Sequence, residues 1–334
     1  MNKNKAKKIA TWIIVPLMAA IFILDIATVV IGNSYAKKYY PFKETVEYEL
    51  GDDRIHFLNT ANSDSILVES NGKFALIDAG EGNNNPRRKT AYKGYELQVV
   101  NYIKKVAGDS QNKNAYLDFI LATHYHYDHI GGFCAVINDS QIKIGKAYFK
   151  EFNYDIPKDY ETEKWRIDGT YEEIIDALNS RKVEIISNLP NEPFEFGDFI
   201  IQFYNTVTPT ELAEEGENAS SVGVKITKGD KVAFLAADIT KSCGLEQLLG
   251  DKIGDVDLLK IGHHGYYGSS SVEFLKKLSP EIAVVTNHLG KIYPNVKWNL
   301  TMKAKVPVYA TYDNNGIIAS FTDSGEIILY NNIH

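Results

Sequence analysis

The sequence predicts a mixed α/β domain carried behind a single N-terminal transmembrane helix. Three observations carry that prediction. An apolar run over residues 9–32 follows a lysine-rich start. Short β-like runs alternate with stretches of helical spacing along most of the remaining chain. Histidines and an aspartate crowd one segment, Thr123-His124-Tyr125-His126-Tyr127-Asp128-His129, directly after an apolar strand.

Residues 1–8 form a basic tail containing Lys3, Lys5, Lys7 and Lys8. The run over 9–32 is broken by Thr11, Pro16, Asp25 and Thr28, and it exceeds the roughly 20 residues that span a bilayer. Lys37 and Lys38 follow it. The larger positive flank lies first, so the N-terminus is expected in the cytoplasm and the bulk of a single-pass chain outside the cell. Asp25, costly at mid-membrane, falls toward the outer end where water reaches it. Ser34-Tyr35-Ala36 has the small-x-small pattern of a signal-peptidase site. Cleavage after Ala36 would give a secreted protein, but the apolar run is longer than a signal-peptide core, which favours an uncleaved anchor. Residues 33–52 are expected to be a linker with a turn at Tyr39-Tyr40-Pro41, and 53–334 the catalytic domain.

Of 334 residues, 44% are hydrophobic and 24% charged, enough for a large buried core and ordinary for a globular chain. The net charge is −7, and four of the 36 basic residues sit in the N-terminal tail, so the remainder is more acidic still. Proteins that grip polynucleotides usually carry a basic excess, so a nucleic-acid partner is not favoured. The two cysteines, Cys134 and Cys243, make no disulfide framework and are expected to be isolated buried thiols.

Along the domain, strands are expected at 55–58, 65–70 and 74–78, with Asn71-Gly72 as a hairpin turn between the last two. A helix is predicted over 90–107, where Leu97, Val100, Ile103 and Val106 share one face. A buried strand at 118–122 leads into the histidine segment, and a helix begins after Gly131-Gly132. Residues 151–182, polar and aromatic, look like an insertion carrying one helix. Strands follow at 199–204, 221–226, 232–236, 256–261, 282–286, 306–310, 317–321 and 326–330, with helices near 244–249 and 271–278.

Imidazole and carboxylate are preferred ligands of Zn²⁺ and also suit Mn²⁺ or Fe²⁺. Crowded imidazoles with no partner would lose solvation for nothing, so His124, His126, Asp128 and His129 are read as metal ligands. Five of the eight histidines fall in two clusters, the second being His263-His264 after the apolar run 256–261. Asp78 and Asp238 likewise end apolar strands, and strand ends gathered on one rim are where a site is built.

The order Asp78, His-x-His-x-Asp-His, Asp238, His263 resembles the metallo-β-lactamase superfamily, over roughly residues 53–330. Within it the chain is most similar to the hydrolase domain of competence DNA-uptake proteins and to surface phosphorylcholine esterases. That closer likeness rests on Asp64-Ser65, Leu76-Ile77-Asp78-Ala79-Gly80, Asn218 with Ser221, the stretch 257–265 ending His263-His264-Gly265, Ser269-Ser270 and Phe274-Leu275. The resemblance implies an αββα sandwich with two divalent metal ions at one edge, Zn²⁺ before Mn²⁺ or Fe²⁺. His124 and His126 would hold the first; Asp128, His129 and His263 the second; Asp238 would bridge them. Asp78 would orient a ligand from behind. His264 would contact substrate or transition state, with the reverse order of His263 and His264 left open. Asp128 and His264 are thus the candidate catalytic residues, and Asn218 and Tyr266 candidate substrate contacts.

The chain departs from the family in one telling place: no histidine occurs between His129 and His263. The first metal position lacks an imidazole that many relatives supply, which leaves it to Asn218, water or substrate and argues against β-lactamase and thioesterase activity. Ala61-Asn62-Ser63-Asp64 replaces the relatives' Gly-Gln-Gly-Asp turn, and Tyr293-Pro294 lacks a histidine they carry nearby. The implied chemistry is attack of a metal-bridging hydroxide on a phosphate diester. Tyr125, Tyr127, Tyr266, Tyr267 and Trp165 border the motifs, and aromatic faces bind quaternary ammonium groups. A phosphocholine-type or wall-polymer head group is therefore expected ahead of nucleic acid. The remaining alternatives are an extracellular nuclease and a hydrolase-like module that binds without turnover.

Overall fold

The computed structural model describes residues 3–43, 52–209 and 215–333, without the side chains of 3–11, 21–22 and 24–26. Among them, strands β1 (Phe42–Lys43), β2 (Arg54–Phe57), β3 (Ser65–Ser70), β4 (Lys73–Ala79), β5 (Ala115–Leu121), β6 (Ile142–Tyr148), β7 (Glu184–Ile186), β8 (Phe194–Phe196), β9 (Phe199–Tyr204), β10 (Gly223–Lys228), β11 (Lys231–Leu235), β12 (Leu258–Lys260), β13 (Ile282–Val285), β14 (Val308–Ala310), β15 (Ile317–Phe321) and β16 (Ile327–Asn331) form two sheets. The first runs β1-β16-β15-β2-β3-β4-β5-β6-β7, the second β14-β13-β12-β11-β10-β9-β8. The helices are α1 (Lys3–Ser34), α2 (Glu96–Val106), α3 (Tyr127–Ile130), α4 (Phe133–Asn138), α5 (Asp159–Glu163), α6 (Ile167–Ser180), α7 (Leu245–Ile253), α8 (Val272–Leu278) and α9 (Pro294–Trp298).

Period-two alternation splits each strand between two cores. On β3 and β4, Ile66, Val68, Ala75 and Ile77 point into the layer between the sheets, where they meet Phe199, Ile201, Val224 and Leu258 of the second sheet. Leu67, Leu76 and Phe74 face the other way, onto Val99 and Ile103 of α2 and Phe133 and Ile137 of α4. The second sheet repeats the arrangement: Phe234 and Leu259 face Leu249 of α7 and Leu275 of α8. The result is four layers in the order helix, sheet, sheet, helix.

Asn71 and Gly72 both take positive φ (47° and 75°) in the β3–β4 hairpin, as the two-residue turn requires. The predicted helix over 90–107 begins only at Glu96. Before it, residues 81–95 fold into a loop closed by Tyr95 N–H to Glu81 C=O (2.8 Å) and Asn84 N–H to Tyr92 C=O (2.7 Å). The insertion holds two helices, α5 and α6, because Arg166 takes a left-handed conformation (φ 52°, ψ 41°) between them. β6, whose apolar run is interrupted by Lys143, Gly145 and Lys146, falls outside the predicted strands. Both cysteines are free, but half-buried rather than buried.

The expected membrane anchor falls on α1. Among the described residues no helix is long and apolar enough to cross a membrane, and the side chains at 9–11, 21–22 and 24–26, Asp25 included, lie outside those described. The described side chains from Trp12 to Ala20 are all exposed. The far end of α1 docks on the domain: the Asn33 side chain accepts from Val308 N–H (3.0 Å) and donates to Val308 C=O (3.3 Å). The segment after it joins the first sheet through β1, parallel to β16.

Glu246 on α7 ties the two helices under the second sheet by accepting from the Ser271 N–H at the start of α8 (3.0 Å). Burial pushes its carboxyl up to about 7 against the opposing pull of the Ser271 hydrogen bonds. The folded state therefore holds an extra proton between pH 4.5 and 7, and stability falls as pH rises through that window. Glu246→Gln keeps the acceptor without the charge. It should raise stability at pH 8 by up to about 3 kcal/mol and leave pH 4 unchanged, as read from urea unfolding at both values; equal gains at both would remove ionisation as the cause.

Candidate metal centre

Parallel pairing of β4 with β5, β11 with β12 and β12 with β13 sends successive strand ends to the same rim. Asp78 lies at the end of β4, His124 just beyond β5, Asp238 beyond β11, His263 and His264 beyond β12, and Thr286 beyond β13. α3 follows at once with Asp128 and His129, and approaches β4 closely: Gly132 N–H donates to Gly80 C=O (3.1 Å). A Cβ at Gly132 would run into the Ala79 carbonyl. Asp78, Ala237, His263 and His264 all adopt positive φ (55°, 45°, 49° and 50°). Such strain in non-glycine residues, of order 1–3 kcal/mol each, persists where surrounding structure holds it and clusters at functional sites.

Two groups of ligand atoms result, each lying within 4.8 Å of one another: Asp64, His129, Asp238 and His264; and His124, His126 and Asp238. Asp238 belongs to both. In the first group His129 donates from Nδ1 to Asp78 (2.7 Å), which turns its Nε2 to within 3.1 Å of His264 Nε2 and 3.2 Å of Asp238. Asp78 is itself held by the Thr123 N–H (2.8 Å) and hydroxyl (2.7 Å). In the second group His124 Nε2 stands 3.1 Å from His126 Nδ1.

His263 stands outside both groups. Its Nε2 is 3.9 Å from Asp238, its side chain is 23% exposed, and its Nδ1 is buried without a hydrogen bond. His264 is wholly buried, with Nε2 3.5 Å from Asp238 and 3.8 Å from Asp128. Asp128 instead meets Arg87 (3.3 Å). Asn218 and Tyr266 line the same cavity of about 510 Å³, with His126, Asp128, Asp238 and His263.

The donor set fits divalent metal. Burial and the neighbouring His129 press the His124 pKa well below its ordinary value, giving the neutral imidazole that ligates. Burial opposes charge on Asp238, yet His129, His264 and His263 together hold its carboxyl well below the usual range. The Asn218 carbonyl oxygen is buried without a hydrogen-bond partner beside these groups, as an oxygen awaiting a cation would be.

Several residues of the site had no sequence signal of function. Asp64 is buried between Lys260, Thr286 and His264: the Lys260 ammonium pairs with it, the Thr286 hydroxyl donates to it (2.5 Å), and His264 Nδ1 lies at 3.2 Å. Burial would raise its pKa, but Lys260 and His264 outweigh burial and hold it below the usual range. In the sequence Asp64 stands out through the Asp64-Ser65 likeness to the competence hydrolase domain, which attaches no role to it. Glu161, from the insertion, accepts from His126 Nε2 (2.7 Å). Arg87 stacks over Trp165 at 5.5 Å. Conversely, Tyr125 and Tyr127 are structural: the Tyr125 hydroxyl donates to Lys150 C=O and that of Tyr127 to Asn83 C=O (2.6 Å). Tyr267 is exposed and lies away from this cavity's lining.

Comparison with known proteins agrees with this geometry. The family model described as the metallo-beta-lactamase superfamily matches residues 58–286. ComE operon protein 3 of Bacillus subtilis is 26% identical over 208 residues, covering 60% of this chain and 24% of that protein. Competence protein ComA of Neisseria gonorrhoeae is 26% identical over 181 residues, covering 53% and 21%. The chain thus spans about a quarter of the length of these relatives. Among solved structures, the metallo-beta-lactamase fold protein YhfI of Bacillus subtilis matches with a TM-score of 0.46 at 14% identity, covering 83% of this chain and 99% of that one. Zn²⁺-bound PqqB of Methylobacterium extorquens matches at 0.43 and 14%, covering 74% and 84%.

Lys260→Met is expected to cost about 3 kcal/mol in metal-free protein, because it removes the ammonium partner of the buried Asp64 and leaves Thr286 and His264 to hold it. Adding Asp64→Asn should recover much of the loss. Chemical unfolding of the single and double variants checks this; additive losses would mean the two residues act independently.

Proposed function

Because the chain belongs to the metallo-β-lactamase superfamily, whose members are generally metal-dependent hydrolases, we propose that it hydrolyses phosphate diesters with two bound divalent ions, Zn²⁺ foremost. The observation that carries this reading is the pair of His/Asp groups sharing Asp238 beneath a cavity walled by Arg87, Arg88 and Lys158. The groups suit two ions, whose charge among these carboxylates would suit an anionic ester; of the cations at the wall, Arg87 is paired with Asp128 (3.3 Å) and Arg88 with Glu81 (3.1 Å). Bound ions would supply an activated water and offset charge developing on phosphorus.

We assign His264, rather than His263, to the metal with Asp128, His129 and Asp238, since its Nε2 converges with theirs. Asp64 then fixes His264 as Asp78 fixes His129. His263 faces the cavity beside Tyr266 (ring centroids 5.6 Å apart), placed to donate a proton to the departing ester oxygen. Asn218 offers its carbonyl oxygen where the third imidazole is missing. Trp165 and Tyr160 (ring centroids 4.8 Å apart, 74°) form an aromatic wall opposite, suited to a quaternary ammonium or similar head group.

The same reading places the domain outside the cell on a membrane anchor. The lysine flank, the apolar run over 9–32 and the exposed apolar side chains of Trp12, Ile13, Ile14, Val15, Leu17 and Met18 support it.

Detergent-purified full chain, reconstituted with Zn²⁺ or Mn²⁺, is expected to cleave bis-p-nitrophenyl phosphate and p-nitrophenyl phosphorylcholine and to cleave single-stranded DNA poorly. His129→Ala should lower the rate by at least about two orders of magnitude, and chelator should abolish activity until metal is restored. Preferential cleavage of DNA would favour a nuclease. No turnover of any of the three, with metal bound, would leave a binding module.

A further inference from the structure

We propose that Glu161 is the positioning residue of the His124–His126 metal position, fixing His126 in the tautomer that ligates and strengthening it as a donor where the third imidazole is absent. The inference rests on the metal-binding reading above.

The carboxylate is placed on every side. Glu161 is 1% exposed, on the first helix of the insertion. Its Oε1 accepts from His126 Nε2 at 2.7 Å. Its Oε2 accepts from the backbone N–H of Lys158 (2.6 Å) and of Glu217 (3.4 Å). Gly216 packs against it at φ +58°, where any Cβ would collide with Oε2. Its ion-pair partner among the described residues is His126. A carboxylate only accepts, so the shared proton sits on Nε2, and in the neutral ring the lone pair is left on Nδ1. That lone pair points into the group formed with His124 and Asp238. Carboxylates behind ligating imidazoles raise their basicity, which this position needs most because its group offers three donors where the other offers four. The capping box of α5, with Glu161 three residues after Lys158, explains only the Lys158 bond, and a Gln at that position would serve it as well; it gives no reason for a buried carboxylate reaching His126.

The test is competitive Zn²⁺ titration of metal-depleted full chain in detergent, with ¹⁵N spectra of the histidines. Wild type should bind two ions, with His126 protonated at Nε2 before metal is added. Glu161→Ala should weaken one ion by 10–100-fold, leave the other unchanged and mix the His126 tautomers. Glu161→Gln, which keeps a neutral acceptor, should fall between. Melting of the metal-free proteins separates folding from ligation; if Glu161→Ala does not fold, Glu161→Gln decides. Two ions held with wild-type affinity in the folded variants would overturn this inference alone. A wild type that binds no metal would overturn the metal reading and this inference with it.

Discussion

Asp64, Asp78, Glu81, Asp128, Glu161, Glu217 and Asp238 all bury their carboxyl groups at one rim of the sandwich. Carboxylates out of water are unstable unless each is paired or hydrogen-bonded, and much of the surrounding structure answers that constraint. Lys260 is threaded through the second sheet with no exposure to reach Asp64. Asp78 takes a left-handed backbone so that both its oxygens find Thr123 and His129. Lys150, itself buried, satisfies loop carbonyls of Asn205 and Ser220 behind Glu217. The imidazoles complete the balance, and their converging nitrogens leave room for a cation's charge among them.

Two kinds of support meet at this rim. From the core of the fold come the parallel strand ends, which set His124, Asp238 and His264 by backbone geometry. From outside come two additions, the 81–95 loop with Arg87 and the insertion with Glu161 and Trp165. These additions touch each other through the Arg87–Trp165 stack and touch the site through Asp128 and His126. Metal ligation thus belongs to the fold, whereas the charge and aromatic character of the cavity belong to the additions.

The histidine segment was legible because its ligands are neighbours in sequence, and Asp78 and Asp238 because each ends an apolar strand. The helix–sheet–sheet–helix order followed from the resemblance, and the strand positions from alternation, with β9 and β15 matching their predicted limits. What was hidden depends on distant partners. Lys260 and Asp64 are 196 residues apart, and His126 and Glu161 are 35 apart; neither residue type nor local pattern announces such pairs. The order of His263 and His264 was undecidable for a different reason. Two adjacent residues at positive φ send their side chains in directions that no strand or helix period describes. The late start of α2 was hidden by Gly94, whose N–H donates to the Asn83 side chain (2.8 Å) rather than entering a helix.

The tyrosines between the histidines give the segment 123–129 a property beyond chemistry. Each residue there is buried: Tyr125 and Tyr127 turn to the core and to backbone carbonyls, and the others turn to the site. No position is spare. Tyr125 and Tyr127 thus carry packing and loop closure, and His124, His126, Asp128 and His129 the site itself. A segment so fully committed offers evolution no neutral step. Diversity in this branch is then to be sought in the loop and insertion that overhang it.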